Sequence, residues 1–219
     1  KKLGFSLLIQ RKSAYLRICP FAHLPISMLD RIAFAISFIF SPFLVQIAAS
    51  LVVVPLYAVT SGQALLWMLI IILFFSVLPS LFILILARSG HLSDLHLSVQ
   101  EQRLVPLCFA VISGLVGTGI LYRIDAPRKL VWLGIVYAVN GTIFTAITPL
   151  WKISFHSGVT AACITTLTLL VNVRFAWLFF LLPPVAWSRV YRKRPTIPQT
   201  VVAALVSIIC TAAALQFSL

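Results

Sequence analysis

Acidic residues are the scarcest chemistry in this chain: four Asp and Glu in 219 residues, against 17 Lys and Arg. Charge of either sign is rare too, at 10% of the residues, where a soluble domain carries about 25%. The apolar side chains make up 61%, and the mean hydropathy is +1.09. A water-soluble fold of this size has too little interior for that much apolar surface. The four cysteines, Cys19, Cys108, Cys163 and Cys210, are scattered without C-x-x-C spacing. That excludes the usual zinc and disulfide frameworks, and three of the four fall in apolar runs, where a thiol behaves as a small hydrophobe. No metal and no cofactor is expected. The apolar runs hold no Asp or Glu, which argues against a proton-coupled pump. With Lys1 in first place instead of Met, the chain is expected to be trimmed or to lack its first residues. No cleavable signal peptide is expected, because the first long apolar run greatly exceeds a signal core.

What is present is a succession of apolar segments with basic residues between them. Residues 1–31 mix Leu3, Phe5, Leu7, Leu8, Leu16 and Ile18 with Lys1, Lys2, Arg11, Lys12 and Arg17, which reads as a basic amphipathic segment in the headgroup layer. Residues 32–219 read as an all-α, polytopic transmembrane helical bundle of about seven helices, six to seven by length. The segments are Ile32–Val59, with kinks at Pro42 and Pro55, then Ala64–Ala87, Leu104–Tyr122, Leu130–Trp151, Val159–Val173, Phe175–Trp187 and Thr200–Leu219. The fifth and sixth are short and meet at Arg174, at the tip of a tight turn.

With seven spans, Arg123, Arg128, Lys129 and Arg174 lie on one side, and the other thirteen of the 17 basic residues share the N-terminal side. The positive-inside rule then puts the N-terminus and the loops after spans two, four and six in the cytoplasm. The net charge of +13 suits anionic headgroups, and nucleic acid is not an expected partner. Within the spans, Gln46, Asn140, Thr142 and Thr145 are polar groups of a kind that either marks a functional path or bonds across helices. Gly114, Gly117, Gly119 and Gly141 permit close helix approach.

The three cytoplasmic loops hold most of the remaining chemistry. The first runs Arg88-Ser-Gly-His91-Leu-Ser-Asp94-Leu-His96 to Glu101-Gln102-Arg103, and the second runs Lys152-Ile-Ser154-Phe-His156-Ser157-Gly158. The third runs Ser188-Arg189-Val-Tyr-Arg192-Lys193-Arg194-Pro195 to Gln199. An even number of spans separates each from the next, so they converge at one surface. Arg, Lys, His and Ser gathered at a bundle mouth are what a phosphate requires.

Here the chain resembles the type 2 phosphatidic acid phosphatase superfamily, the membrane lipid-phosphate phosphatases, whose motifs are K-x6-R-P, P-S-G-H and S-R-x5-H-x3-D. Ile153-Ser154-Phe155-His156 stands at the second motif, followed by the small-residue run Gly158-Val-Thr-Ala-Ala. Ser188-Arg189 opens the third motif, and Arg103 fits the arginine of the first, with His96 at its lysine and Leu104 at its proline. The resemblance covers about residues 88–205. It implies that Arg103, Lys152, Ser154 and Arg189 bind phosphate and that His156 holds the general-acid position. It also implies a departure. Pro195 stands where the family has its attacking histidine, and Gln199 where it has the orienting carboxylate. A phosphoryl-transfer site without a nucleophile is degenerate, unless His91 or His96 attacks instead. The expectation is a lipid-binding or accessory membrane subunit, with membrane lipids, a phosphorylated or isoprenoid lipid, and other membrane subunits or pigments as partners. The alternatives are an active phosphatase with an unorthodox nucleophile, or basic residues that merely snorkel and lock helix ends.

Overall fold

The computed structural model describes residues 28–89, 103–192 and 195–217, and among these all regular structure is helical. The interfacial segment read at 1–31, and with it Cys19 and His23, lies almost wholly outside the described residues, as do His91, His96 and most of the first loop. Residues 33–219 form one compact unit, and 1–32 are a second.

The first apolar stretch is two helices, α1 (Met28–Ile39) and α2 (Pro42–Val53), the latter continued by a 3₁₀ turn, Val54–Tyr57. The axis bends by 50° between them. Pro42 sits in the first turn of α2, where its missing N–H costs nothing. The second helix, α3, runs Ser61–Arg88. Thr60 and Gln63 close a capping box at its start, and its middle, Leu73–Val77, loosens into a π-turn. Pro79 explains the loosening, since it has no N–H for the preceding turn. Ser113 Oγ reaches across from the next helix and donates to the carbonyl of Phe74 at 2.6 Å.

Helices α4 (Leu104–Arg123) and α5 (Arg128–Ile147) form an antiparallel pair. Asp125, with φ 53°, makes the sharp reversal between them. Their approach depends on glycine. A Cβ at Gly134 would overlap the Thr118 hydroxyl and one at Gly114 would strike Tyr137, while Gly117 admits α3, where a Cβ would strike Phe74. Gly141 faces Val111 closely, whereas Gly119 faces open space and serves no contact. Thr118 is β-branched and its hydroxyl is tied to Gly114 O at 2.7 Å, so it yields poorly. Gly134→Ala is therefore expected to cost about 1–3 kcal/mol by overpacking, read as a lower thermal midpoint in detergent. Gly119→Ala should leave the midpoint unchanged or raise it, and equal behaviour of the two would show that this packing does not limit stability.

Helix α6 (Phe155–Leu170) is central: nine of its 16 residues are buried, and it packs chiefly on α2 and on the last helix, α8 (Ile197–Gln216). α8 turns Thr200, Ala203, Ser207, Thr211 and Leu215 inward and leaves Val201, Leu205 and Ile209 exposed. Small or polar inside and large apolar outside is the arrangement for lipid, where close helix approach replaces the hydrophobic drive.

Four helices, α3, α4, α5 and α8, are long and apolar enough to cross a membrane, and the bent α1–α2 pair makes up to five. The chain is thus an all-helical membrane protein, but length carries four to five spans, not seven. The two segments that fall short are the fifth and sixth. At 1.5 Å per residue α6 is roughly 24 Å long, less than the ~30 Å hydrocarbon core. The sixth is a 3₁₀ stretch, Val173–Leu181, followed by α7 (Leu182–Tyr191). Pro183 and Pro184 open α7, and without their N–H groups an α-helix does not run through. Arg174 is exposed beside the turn, with its N–H capped by Asn172 at 2.9 Å.

Candidate functional site

The helices meet at two ends. At one, Tyr57 donates to Leu170 O at 2.8 Å, and Arg128 donates to Phe217 O at 3.0 Å. The other end gathers the C-terminus of α1, the start of α4, the α5–α6 connection, the end of α7 and the start of α8. Here α5 stops at Ile147 with Thr148 Oγ1 donating to Phe144 O at 2.7 Å. Lys152–Ser154 then lead irregularly into α6, with Ser154 extended at its N-cap. Ser154 N donates to Gln199 O at 3.3 Å, which ties this connection to α8. Ser154 Oγ lies 3.2 Å from Ser157 Oγ.

A cavity of about 510 Å³ opens among these elements. Arg103, Lys152, Ser154, His156, Arg189 and Pro195 all line it, so six of the seven residues singled out in the sequence share one space. Arg103 is 6% exposed and Arg189 5%. Arg103 donates to Ile153 O at 3.4 Å and stands 6.0 Å from the centre of the Phe155 ring. Arg189 donates to Ser37 Oγ at 2.7 Å. His156 and Lys152 are half-buried, and Pro195 is buried. Arginine presents a planar fork of donors suited to phosphate, and the first turn of α6 directs its backbone N–H groups to the same end of the bundle.

Gln199 is the exception. It does not line the cavity, because it belongs to a capping box with Thr196, whose N–H donates to Gln199 Oε1 at 2.8 Å. Its side chain starts a helix and is not aimed at residue 195.

Further residues line the cavity, of which the sequence had marked Gln46 and Asn140 as polar span residues but had not assigned Arg192, Ser37 or Ser207 to a site. Arg192, which stands 5.1 Å from the centre of the Phe34 ring, also lines the cavity; its place one turn after Arg189 was the available signal. Ser37 lines it from α1 with no sequence signal at all. Gln46, Asn140 and Ser207 line its deeper walls beside Phe75, Tyr137 and Phe144. Of the other polar span residues, Thr145 bonds back to Gly141 O at 2.7 Å and Thr142 is exposed.

Chemically, the arrangement offers four basic side chains and an imidazole at one end of an apolar chamber. At residue 195 it offers a proline ring, which has neither nucleophile nor base. Comparison of the chain with protein families, with curated proteins and with solved structures returned no match.

Proposed function

We propose that this protein binds a phosphorylated lipid without splitting it, as a degenerate member of the lipid-phosphate phosphatase fold kept as a lipid-binding or accessory membrane subunit. One observation carries the reading. Two buried arginines, Arg103 and Arg189, line the same cavity as Lys152, Ser154 and His156, and that cavity continues into the apolar bundle. An anionic head with an apolar tail suits both ends of such a space. Pro195 at the attacking position supports binding over turnover.

The topology proposed with it has seven crossings. The 3₁₀ rise of about 2.0 Å over nine residues and the α rise of about 1.5 Å over ten give Val173–Tyr191 roughly 33 Å, enough to cross. α6 is enclosed by protein, so its short length need not match lipid thickness. The thirteen-to-four distribution of basic residues favours a cytoplasmic cavity mouth.

The test uses the purified full chain in nanodiscs with hexadecyl phosphate, measured for binding and for phosphate release. Saturable binding without release is the expected outcome. Release that disappears in His156→Ala would overturn the degenerate reading in favour of an active phosphatase, and labelling at His91 or His96 would name its nucleophile. Absence of binding would remove the lipid-phosphate reading itself.

A further inference from the structure

The basic mouth accounts for one end of the cavity, but two polar side chains on its deeper wall answer to nothing at the mouth. Asn140 on α5 is 9% exposed and Ser207 on α8 is 1% exposed, and both line the cavity. Asn140 spends its amide N–H₂ on Val136 O at 2.9 Å and on Thr211 Oγ1 at 3.1 Å, which pins α5 to α8. The Val136 carbonyl only accepts, so it fixes the NH₂ on that side and leaves Oδ1 on the other. Asn140 Oδ1 has no hydrogen-bond partner, and neither has Ser207 Oγ. Buried polar atoms are nearly always paired, and each exception in a folded protein calls for a physical explanation.

Their depth is legible from the packing. A Cβ on Gly158, in the first turn of α6, would lie 3.0 Å from Ser207 Oγ and against the ring of Phe144. Ser207 therefore sits at the level of the first turn of α6. Asn140 lies one helical turn, about 5 Å, further from the mouth than Phe144. A plain hydrocarbon tail threading this stretch would leave both oxygens stranded. A hydroxyl has the chemistry to answer both, because it donates and accepts from one atom.

Building on the lipid-phosphate reading, we infer that the ligand carries a hydroxyl in the buried part of its chain. That hydroxyl donates to Asn140 Oδ1 and accepts from Ser207 Oγ, within about two helical turns of the phosphate. The subsite selects hydroxylated lipid phosphates over plain ones.

The experiment is competition binding to the full chain in nanodiscs, with hexadecyl phosphate and its isomers bearing one hydroxyl at each even carbon. Isomers hydroxylated within a narrow window should bind roughly tenfold tighter than the parent, and those outside it no better. Asn140→Leu and, separately, Ser207→Ala should erase the preference and bind hexadecyl phosphate as tightly as before or tighter, because its tail no longer strands an oxygen. If hexadecyl phosphate binds and no isomer improves on it, water fills the subsite and the inference fails while the headgroup reading stands. A preference that survives both substitutions also overturns it. If no probe binds, or hexadecanol binds as tightly as its phosphate, the headgroup reading has failed instead.

Discussion

Replacing Pro195 with His together with Gln199→Asp is expected to create phosphate release from hexadecyl phosphate where the unaltered chain gives none. The physical case is that three basic side chains and an imidazole already share one chamber with residue 195. Arg103, Arg189, Lys152 and His156 line the cavity that Pro195 also lines, so an imidazole at 195 would stand on the wall of the same chamber. The resemblance assigns that position an attacking histidine and the one four residues later an orienting carboxylate. The unaltered Gln199 does not serve, since its Oε1 is held by Thr196 N at 2.8 Å. Converting it to Asp gives up half of the capping box, at a cost of about 1 kcal/mol, while Pro198 and Thr196 still start α8. Acid–base assistance alone contributes ~10²–10⁴-fold in such reactions, so a gain on the order of 10²-fold over background is expected. Acid-labile phosphate label should map to residue 195. A folded double variant that still binds hexadecyl phosphate, yet neither traps label nor releases phosphate, would show that the resemblance does not extend to the geometry of attack.

Removing the buried guanidiniums should act on binding more than on folding. Arg103→Met and Arg189→Met are each expected to weaken hexadecyl phosphate by about 10–100-fold, since a hydrogen bond to a charged group contributes ~1.5–3 kcal/mol. Together they should bring binding below detection, although two residues in one cavity need not add. Methionine fills much of the volume without a charge, but it leaves the Ile153 carbonyl and Ser37 Oγ without their arginine donors. Thermal midpoints should therefore fall modestly, by less than the loss in binding. Arg189→Lys keeps the charge but loses the planar fork, so its affinity should fall between the two. The opposite pattern, with lower midpoints and unchanged lipid binding, would mean that these arginines lock helix ends through contacts such as Arg189 to Ser37 and Arg103 to Ile153 O.

Particular elements show what patterning alone conveys. The starts of α4 and α8 and the full length of α3 were legible within a few residues, because long apolar runs bounded by basic residues have few other solutions in lipid. The bend at Pro42 was legible for the same local reason. Pro183 and Pro184 were equally visible, yet the segment around them was read as one helix instead of a 3₁₀ stretch followed by α7. The glycines divide in a similar way. Gly114, Gly117 and Gly141 do support close contacts, but Gly119 supports none and Gly134 makes the tightest approach between α4 and α5. Which glycine meets a neighbour depends on how two helices rotate against each other, and a single helix's sequence does not encode the other's face.

The candidate site divides along the same line. Spacing and sidedness were enough to nominate Arg103, Lys152, Ser154, His156, Arg189 and Pro195 for one surface, because even numbers of crossings return a chain to the same side. The sequence by itself also determined the membrane environment, through composition. Only the tertiary structure decided that those residues share a cavity reaching deep into the bundle. It alone gave Gln199 to the capping of α8, and it alone put Asn140 and Ser207 on one wall with unpartnered oxygens. Composition acts on each segment separately, whereas a cavity is defined by the space that several helices leave between them.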